Sequence, residues 1–245
     1  LRFSDAVVTV SPSLQWELTK RFPQYSTKVR VICNGIDQAF FDAGKQAARL
    51  HKGILSEARE HDSVLVRFVY VGNLVAGKGV DVILQAAASL PEDNWSLAII
   101  GDGPEREALE EYCQEQGMEG KVTFHGSAPP DEVPLLMRGA DVFVFASFAE
   151  GRPNVVLEAM ATGLPVIAGA IPAVLDLIES KKQGLLFPPG DVHALAEHML
   201  LLINDPAARQ RLGSGAKEYL VSAGLSWPES AREYARLYTE VIEKS

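Results

Sequence analysis

The chain has 245 residues, a net charge of −9, 47% hydrophobic residues and 22% charged residues, which is the composition of a globular protein with one large core. The acidic balance excludes a general nucleic-acid binder, and no apolar run approaches the roughly 20 residues of a membrane-spanning helix. Cys33 and Cys113 form no ligand-spaced cluster, so we expect free thiols in a reducing, cytoplasmic compartment.

Apolar runs alternate with helix-period segments along most of the chain. We predict strands at 6–10, 29–32, 66–71, 95–100, 122–124, 142–146, 166–168 and 185–187. Helices are expected at 13–21, 79–89, 104–115, 133–138, 153–162 and 174–179, and three more at 192–203, 206–221 and 228–243. Short, continuously apolar strands that alternate with helices are typical of a parallel sheet covered on both faces. The fold class is therefore predicted as α/β, a doubly wound parallel sheet with a helical C-terminal end.

The segment at 37–62 differs from the rest of the chain. It follows the turn Asn34-Gly35-Ile36-Asp37 and is charged, Ala-rich and helix-prone. We interpret it as a connection between two lobes. The chain begins with Leu1 close to a predicted strand, and we therefore expect a piece of a longer protein.

A glycine-rich loop with a lysine follows the strand at 66–71. It reads Gly-Asn-Leu-Val-Ala-Gly-Lys-Gly over residues 72–79. Glycines let backbone amides approach a phosphate, and the following helix N-terminus and Lys78 add positive charge. The spacing is close to that of a nucleoside-triphosphate P-loop, but Gly79 replaces the Ser or Thr that holds magnesium. A phosphate site is favoured over a plain strand-to-helix turn with a solvated lysine.

A second glycine turn, Gly101-Asp102-Gly103-Pro104, follows the strand at 95–100. It is not a dinucleotide fingerprint, because Arg106 stands where the third glycine is expected. Alone it indicates only a turn before a helix. At the carboxyl edge of a parallel sheet it can also form one wall of a ligand crevice.

Two carboxylates, Glu150 and Glu158, occur in an otherwise apolar, small-residue stretch after the strand at 142–146. An ionised carboxylate accepts two hydrogen bonds at once, which suits a vicinal diol such as ribose. The alternatives are a Glu158 paired to Arg or Lys and a solvated Glu150. Pro153 suits a first helical turn and leaves backbone amides free to hold a diphosphate oxygen. These amides lie near Gly151, Arg152, Asn154 and Val155.

These motifs together resemble the retaining glycosyltransferases of the GT-B architecture, in the family called glycosyltransferase group 1 or family 4. The segment Glu150-Gly-Arg-Pro-Asn-Val-Val-Leu-Glu158 resembles its Glu-x7-Glu signature, the most specific of the matches. Similar segments cover almost the whole chain: 5–11, 31–37, 69–81, 99–104, 122–126 and 183–191. The resemblance implies the C-terminal, Rossmann-like half of that architecture, with a polysaccharide or other glycan as the product in bacteria.

The resemblance also implies roles for single residues. Glu150 is expected to hydrogen-bond the donor sugar, Lys78 to neutralise the departing diphosphate, and Glu158 to bind the ribose; Glu150 and Lys78 are the expected catalytic residues. The loops at 101–104 and 125–128 are expected to bound the nucleobase pocket. No metal and no cofactor are expected, since the substrate is itself a nucleoside-diphosphate sugar. The remaining expected donor-binding residues are Gly72, Asn73, Gly101, Gly103, Gly126, Gly151, Arg152, Pro153, Asn154 and Val155.

The implied domain division assigns 1–36 to the remnant of an acceptor-binding domain and 37–62 to the interdomain connection. Residues 63–222 are the donor-binding domain, and the helix in 223–245 is expected to pack back toward the N-terminal part. Because most of the acceptor-binding domain is missing, we expect the chain alone to transfer sugar weakly or not at all. The expected partners are a nucleotide sugar and a glycan or lipid acceptor, with no nucleic acid; a peripheral position of the whole protein at the inner membrane stays open.

The sequence departs from the family pattern in two places. Asn73 stands where members usually carry Arg, so either the leaving group is stabilised less or Arg152 contributes. The usual Gly-Gly after the strand at 166–168 is replaced by the segment at 170–173. Other readings remain open at this point: a sugar-nucleotide epimerase of GT-B fold, a P-loop-like nucleotide hydrolase and a non-catalytic binding module.

Overall fold

The computed structural model describes residues 3–42, 65–91 and 93–243. A two-stranded parallel sheet comes first, formed by β1 (Val7–Thr9) and β2 (Val29–Val31). A six-stranded parallel sheet follows, formed by β3 (Val66–Val71), β4 (Trp95–Ile100), β5 (Val122–Gly126), β6 (Val142–Phe145), β7 (Val166–Gly169) and β8 (Gly184–Phe187). All eight predicted strands are present.

Helices lie between the strands and fill the C-terminal end. They are α1 (Pro12–Arg21), α2 (Gln38–Asp42), α3 (Val80–Ala88), α4 (Arg106–Glu115), α5 (Val133–Arg138), α6 (Asn154–Thr162), α7 (Pro172–Leu175), α8 (Val192–Asn204), α9 (Pro206–Ser222) and α10 (Trp227–Ile242). Side chains cap three of these helices: Ser11 accepts from the Leu14 amide, Asp191 from Ala194 and Asp205 from Ala208. The predicted α/β class with a doubly wound parallel sheet is confirmed.

The large sheet is buried on both faces, as its continuously apolar strands predict. Phe68 and Tyr70 of β3 lie in one core, whereas Val69 between them lies in the other. Successive strand residues point to opposite faces, so each strand supplies side chains to both cores. Phe143 of β6 and Met160 of α6 belong to the second core. This packing fixes β6 and α6, and with them the loop that joins them.

The strand order β5-β4-β3-β6-β7-β8 decides where a ligand can bind. The chain builds the sheet outward from β3 through β4 to β5, then returns to the other side of β3 with β6. Such a reversal leaves a crevice outside the carboxyl ends of the two central strands. The loops at 72–79 and 146–153 follow those two ends.

The structure differs from the predicted elements in two places. The helix expected at 174–179 is α7, which begins at Pro172 and ends at Leu175, because Pro172 suits the first helical position. A 3₁₀ helix, Pro23–Lys28, was not predicted, whereas the short α2 lies at the start of the segment described as helix-prone. Most of the predicted connection at 37–62 lies outside the described residues, so its assignment as interdomain connection stays a prediction.

The last helix contacts the N-terminal segment. The Ser230 hydroxyl of α10 donates a hydrogen bond of 2.7 Å to the Cys33 carbonyl, and Ile36 bridges to Ser226 just before α10. The division into an N-terminal remnant and a donor-binding domain stays a prediction. Among the helices of the described residues, none is long and apolar enough to cross a membrane.

Candidate functional site

A cleft of about 870 Å³ opens at the carboxyl edge of the sheet, where β3 and β6 end. This volume suits a small-molecule ligand. The cleft brings together the loop after β3, the β6–α6 segment, the loop after β5 and the segment around α2. Its lining includes Tyr70, Gly72, Asn73, Lys78, Phe145, Glu150, Arg152, Pro153, Asn154, Val155, Glu158, Ala128, Pro130, Asp131, Asp37 and Phe40.

Lys78 and Glu150 form an ion pair in this cleft, with 2.6 Å between Nζ and Oε1. Both side chains are largely buried, with 30% and 17% of their surface exposed. The Ser147 hydroxyl, which is fully buried, donates a second hydrogen bond of 2.9 Å to the same Glu150 oxygen. The amide of Phe148 also donates to the Gly77 carbonyl at 2.9 Å, so the two loops are tied together beside the ion pair.

Glu158 lines the cleft from α6 and lacks a protein partner. It makes no hydrogen bond and no ion pair with any residue that the structure describes, and its side chain is half-buried. Burial raises the pKa of this carboxyl, because the charged form loses hydration that no protein group replaces. The alternative of a Glu158 paired to Arg or Lys is therefore absent within the described part of the chain. The carboxylate is free to accept hydrogen bonds from a ligand.

Arg152 also lines the cleft and is equally unpaired. Its Nε and Nη2 atoms are buried without a hydrogen-bond partner, and no carboxylate in the described ranges forms an ion pair with it. Its guanidinium lies near Cys33. Burial raises the pKa of the Cys33 thiol, and the positive charge of Arg152 offsets part of that rise. A buried cation without a counter-charge is uncommon, because removing it from water carries a large desolvation cost.

The N-terminal segment holds the β6–α6 loop from the other side. The Ser11 hydroxyl donates a hydrogen bond of 2.8 Å to the Gly151 carbonyl, and the Asn34 amide donates to the Asn154 side chain at 3.3 Å. Pro153 is the N-cap residue of α6, so the positive end of this helix faces the cleft at Asn154 and Val155. Backbone amides and side chains of the segment at 151–155 thus share one surface.

The predicted glycines differ in what they do. Gly72 lines the cleft, but Gly101 and Gly103 are not among its lining residues. A Cβ on Gly101 would stand 1.8 Å from the Gly72 carbonyl oxygen, and one on Gly103 would stand 2.3 Å from that of Leu74. These two glycines therefore allow the loops after β3 and β4 to pack closely. Gly126 is not a lining residue of the cleft either. Its carbonyl oxygen accepts a hydrogen bond of 2.8 Å from the Gly101 amide.

Gly79 argues against a magnesium site of the P-loop type. It caps α3 with a φ of 70°, and a Cβ there would stand 2.2 Å from the Ala146 carbonyl oxygen. A Ser or Thr at this position would clash with the backbone of Ala146, the residue after β6. Within the described ranges, no group of three or more His, Cys, Asp or Glu side chains is arranged to hold a metal ion.

Sequence reasoning missed several residues of the cleft. Ser147, Tyr70 and Asp131 belong to it or support it, and none carries a motif of its own. Burial raises the pKa of Tyr70, with the charges of Glu150 and Glu105 adding to the effect, so the phenol stays protonated. The available signal was the position of Tyr70 and Ser147 at the carboxyl ends of two predicted strands, because a ligand crevice was expected at that edge of the sheet.

Comparisons with known proteins identify relatives of this chain. Residues 52–219 match the model of the family described as glycosyl transferases group 1. An uncharacterised glycosyltransferase from Methanocaldococcus jannaschii is 30% identical over 241 residues, which is 98% of this chain and 61% of the relative. The D-inositol 3-phosphate glycosyltransferase from Corynebacterium glutamicum is 28% identical over 98% of this chain and 58% of its own length. The chain thus spans about three fifths of the length of these two relatives.

Solved structures show the same fold. The sucrose-phosphate synthase from Thermosynechococcus elongatus superposes with a TM-score of 0.82 at 27% identity, over 99% of this chain and 59% of that one. The Anabaena protein HepE, solved in complex with UDP-glucose, gives a TM-score of 0.82 at 23% identity over 98% of this chain and 65% of its own.

Proposed function

The chain belongs to the glycosyl transferases group 1 family, and from this premise we propose that it is the donor-binding part of a glycosyltransferase that uses a nucleoside-diphosphate sugar. The proposed reaction transfers the sugar to a glycan, lipid or sugar acceptor. It retains the anomeric configuration and needs no metal ion. The protein that contains this chain carries the activity, and the chain supplies the donor half of the site.

The observation that carries this proposal is the unpaired carboxylate of Glu158 in the same cleft as the Lys78–Glu150 ion pair. A half-buried carboxylate without a partner costs free energy unless a ligand hydrogen-bonds it. The two hydroxyls of a ribose suit a single carboxylate, since both can donate to it. Glu158 is thus the proposed ribose-binding residue.

The Lys78–Glu150 pair supports the proposal that the sugar and diphosphate of the donor bind at the carboxyl ends of β3 and β6. Departure of a diphosphate leaves extra negative charge on the leaving group, and a lysine ammonium in a cleft of low dielectric constant stabilises that charge. Glu150 remains within reach of the donor sugar and accepts hydrogen bonds from its hydroxyls. Ser147 holds Glu150 for this role through their 2.9 Å hydrogen bond.

The geometry favours this reaction over a P-loop nucleotide hydrolase. Gly79 stands where the hydrolase needs a magnesium-binding hydroxyl, and the crowding at Ala146 keeps a side chain out.

HepE was solved with UDP-glucose, so a uridine nucleotide is a reasonable first probe for this chain too.

Thermal denaturation tests the proposal. UDP-glucose, GDP-mannose and ADP-glucose would each be added to the chain in EDTA, and ATP with magnesium chloride, in a buffer without EDTA, is the comparison. Ligand at 100 times its Kd stabilises the folded state by about 2.7 kcal/mol, so at least one sugar nucleotide is expected to raise the melting temperature. A rise with magnesium-ATP and with none of the sugar nucleotides would favour a hydrolase instead.

A second measurement separates transfer from epimerisation. The protein would be incubated with a donor labelled in its sugar, and the products followed by NMR. A glycoside with the anomeric configuration of the donor supports a retaining transferase. A free or nucleotide-linked sugar with an inverted ring carbon would indicate an epimerase.

A further inference from the structure

The charges that line the cleft do not suit an anionic ligand unless a cation is available. Two cations, Lys78 and Arg152, face four carboxylates, those of Asp37, Asp131, Glu150 and Glu158. The 2.6 Å ion pair with Glu150 already balances the charge of Lys78. A nucleoside diphosphate adds further negative charge to this surface, so its binding needs a cation besides Lys78.

Arg152 is the lining cation whose charge no described carboxylate balances. Asp176 lies in the same region, since Asp176 and Arg152 both act on the pKa of Cys33, yet no ion pair joins the two. Asp176 instead accepts the Ser13 amide at 2.9 Å. Among the residues that the structure describes, none holds the Arg152 guanidinium by a hydrogen bond or an ion pair, so its donors remain available to an anion.

The backbone around Arg152 adds to the effect of its charge. The residue lies two positions before α6, a nine-residue helix whose positive end faces the cleft. An arginine offers several N–H groups in a planar fork that matches two oxygens of a phosphate, whereas an asparagine such as Asn73 offers no charge.

We propose that Arg152 binds the diphosphate of the donor as the second cation beside Lys78. This inference rests on the proposed function, because it assigns a phosphate contact within the same site. It also makes Arg152 the residue that compensates for the asparagine at position 73. Arg152 contacts the ligand itself, so it is a binding residue rather than a positioning residue.

Isothermal titration calorimetry on the whole 245-residue chain tests this inference. The ligands are UDP, GDP and ADP, and the corresponding nucleosides are titrated in parallel. The variants are Arg152→Gln and Arg152→Lys, with Arg232→Gln as the matched control. Arg232 is an exposed arginine of α10 paired with Glu229, and it is not a lining residue of the cleft. Circular dichroism of each ligand-free variant establishes that it is folded.

Arg152→Gln is expected to weaken binding of the preferred nucleoside diphosphate at least tenfold and to leave nucleoside binding unchanged. Arg152→Lys should recover part of the loss, because it restores the charge without the fork. The affinity of Arg152→Gln should also fall less steeply with added salt, since one charged contact is gone. Arg232→Gln should bind like the unchanged protein.

The opposite results overturn the inference in distinguishable ways. Unchanged diphosphate affinity in Arg152→Gln would refute the role of Arg152 and leave the proposed function standing. An equal loss for the nucleoside would show a structural role instead. If the unchanged protein binds none of the diphosphates and none of their sugars, both the inference and the proposed function are wrong.

Discussion

Lys78 and Glu150 are joined by a 2.6 Å ion pair although 72 positions separate them in the sequence. The pair lines the cleft at the ends of β3 and β6, and the Ser147 hydroxyl donates a hydrogen bond to the same Glu150 oxygen. Such a pair in a largely buried place is costly to break from one side only, because the remaining charge stays buried. We therefore expect a substitution at either residue to affect the other.

In the protein that contains this chain, replacing Lys78 by Ala is expected to lower the rate of donor cleavage about 100-fold, the usual cost of losing one electrostatic contact to a developing charge. The rate would be followed as release of nucleoside diphosphate in a coupled assay. Lys121→Ala is the matched control, since Lys121 is also partly buried and paired, with Asp93, but lies outside the cleft. Equal rates in the Lys78 and Lys121 variants would remove Lys78 from the mechanism.

Replacing Glu158 by Gln is expected to reduce affinity for a nucleoside diphosphate about tenfold, roughly the worth of a hydrogen bond to a charged group. The loss should vanish when the ligand lacks its 2′- and 3′-hydroxyls, because these are the proposed partners of the carboxylate. Glu107→Gln, at an exposed position of α4, serves as the control. A loss that is the same for both ligands would place the ribose elsewhere.

The same substitution has a predictable effect on stability. Burial raises the pKa of Glu158, so the folded state holds a proton more firmly than the unfolded state does. Stability from this group is present below the unfolded pKa, about 4.5, and is lost as the pH rises through the higher folded pKa. Glu158→Gln should therefore match the unchanged protein in acid and be the more stable of the two at neutral pH. Urea denaturation at several pH values measures this, and a variant that is less stable at neutral pH would contradict it.

Gly79 provides a test of the loop geometry. Gly79 and Gly117 have similar φ angles, 70° and 65°, but only Gly79 is crowded by backbone, with Ala146 oxygen 2.2 Å from an added Cβ. Gly117→Ala should cost about 1 kcal/mol for the left-handed conformation alone. Gly79→Ala should cost about 3 kcal/mol or more, which lowers the melting temperature by roughly 6–12 °C. Thermal scans of both variants compare them, and equal shifts would mean that the packing against β6 is looser than described.

Nucleotide binding is expected to be independent of divalent metal, because Lys78 and Arg152 are the proposed source of positive charge for the diphosphate. Titrations of UDP, GDP and ADP in EDTA and in magnesium chloride should give the same Kd for whichever nucleotide binds. A Kd at least tenfold tighter with magnesium would show that the ion takes part in binding.

The sequence predicts the fold well because the signal is local. Continuous apolar runs such as Val142–Phe145 identify buried strands, and Pro at 206 and 228 marks helix starts that the structure contains. The position of the crevice also follows from the strand order. A short element without such a pattern, the 3₁₀ helix Pro23–Lys28, escaped prediction because its form depends on contacts with the rest of the chain.

The site was only partly predictable. Lys78, Glu150 and Glu158 stand out because charged residues in small or apolar surroundings are costly. Gly101 and Gly103 were expected at the ligand, but a turn glycine that contacts a phosphate and one that lets two loops pack look alike in sequence. Ser147 and the lack of a partner for Arg152 are consequences of long-range packing, which no local pattern records.

The most direct measurement is a crystal structure of the chain with the nucleoside diphosphate that binds best. We expect ribose hydroxyls within about 3 Å of the Glu158 carboxylate and the diphosphate between Lys78 and Arg152, at ordinary hydrogen-bond distances. A nucleotide bound away from this cleft, or bound in it with the ribose facing other residues, would contradict the proposed donor site.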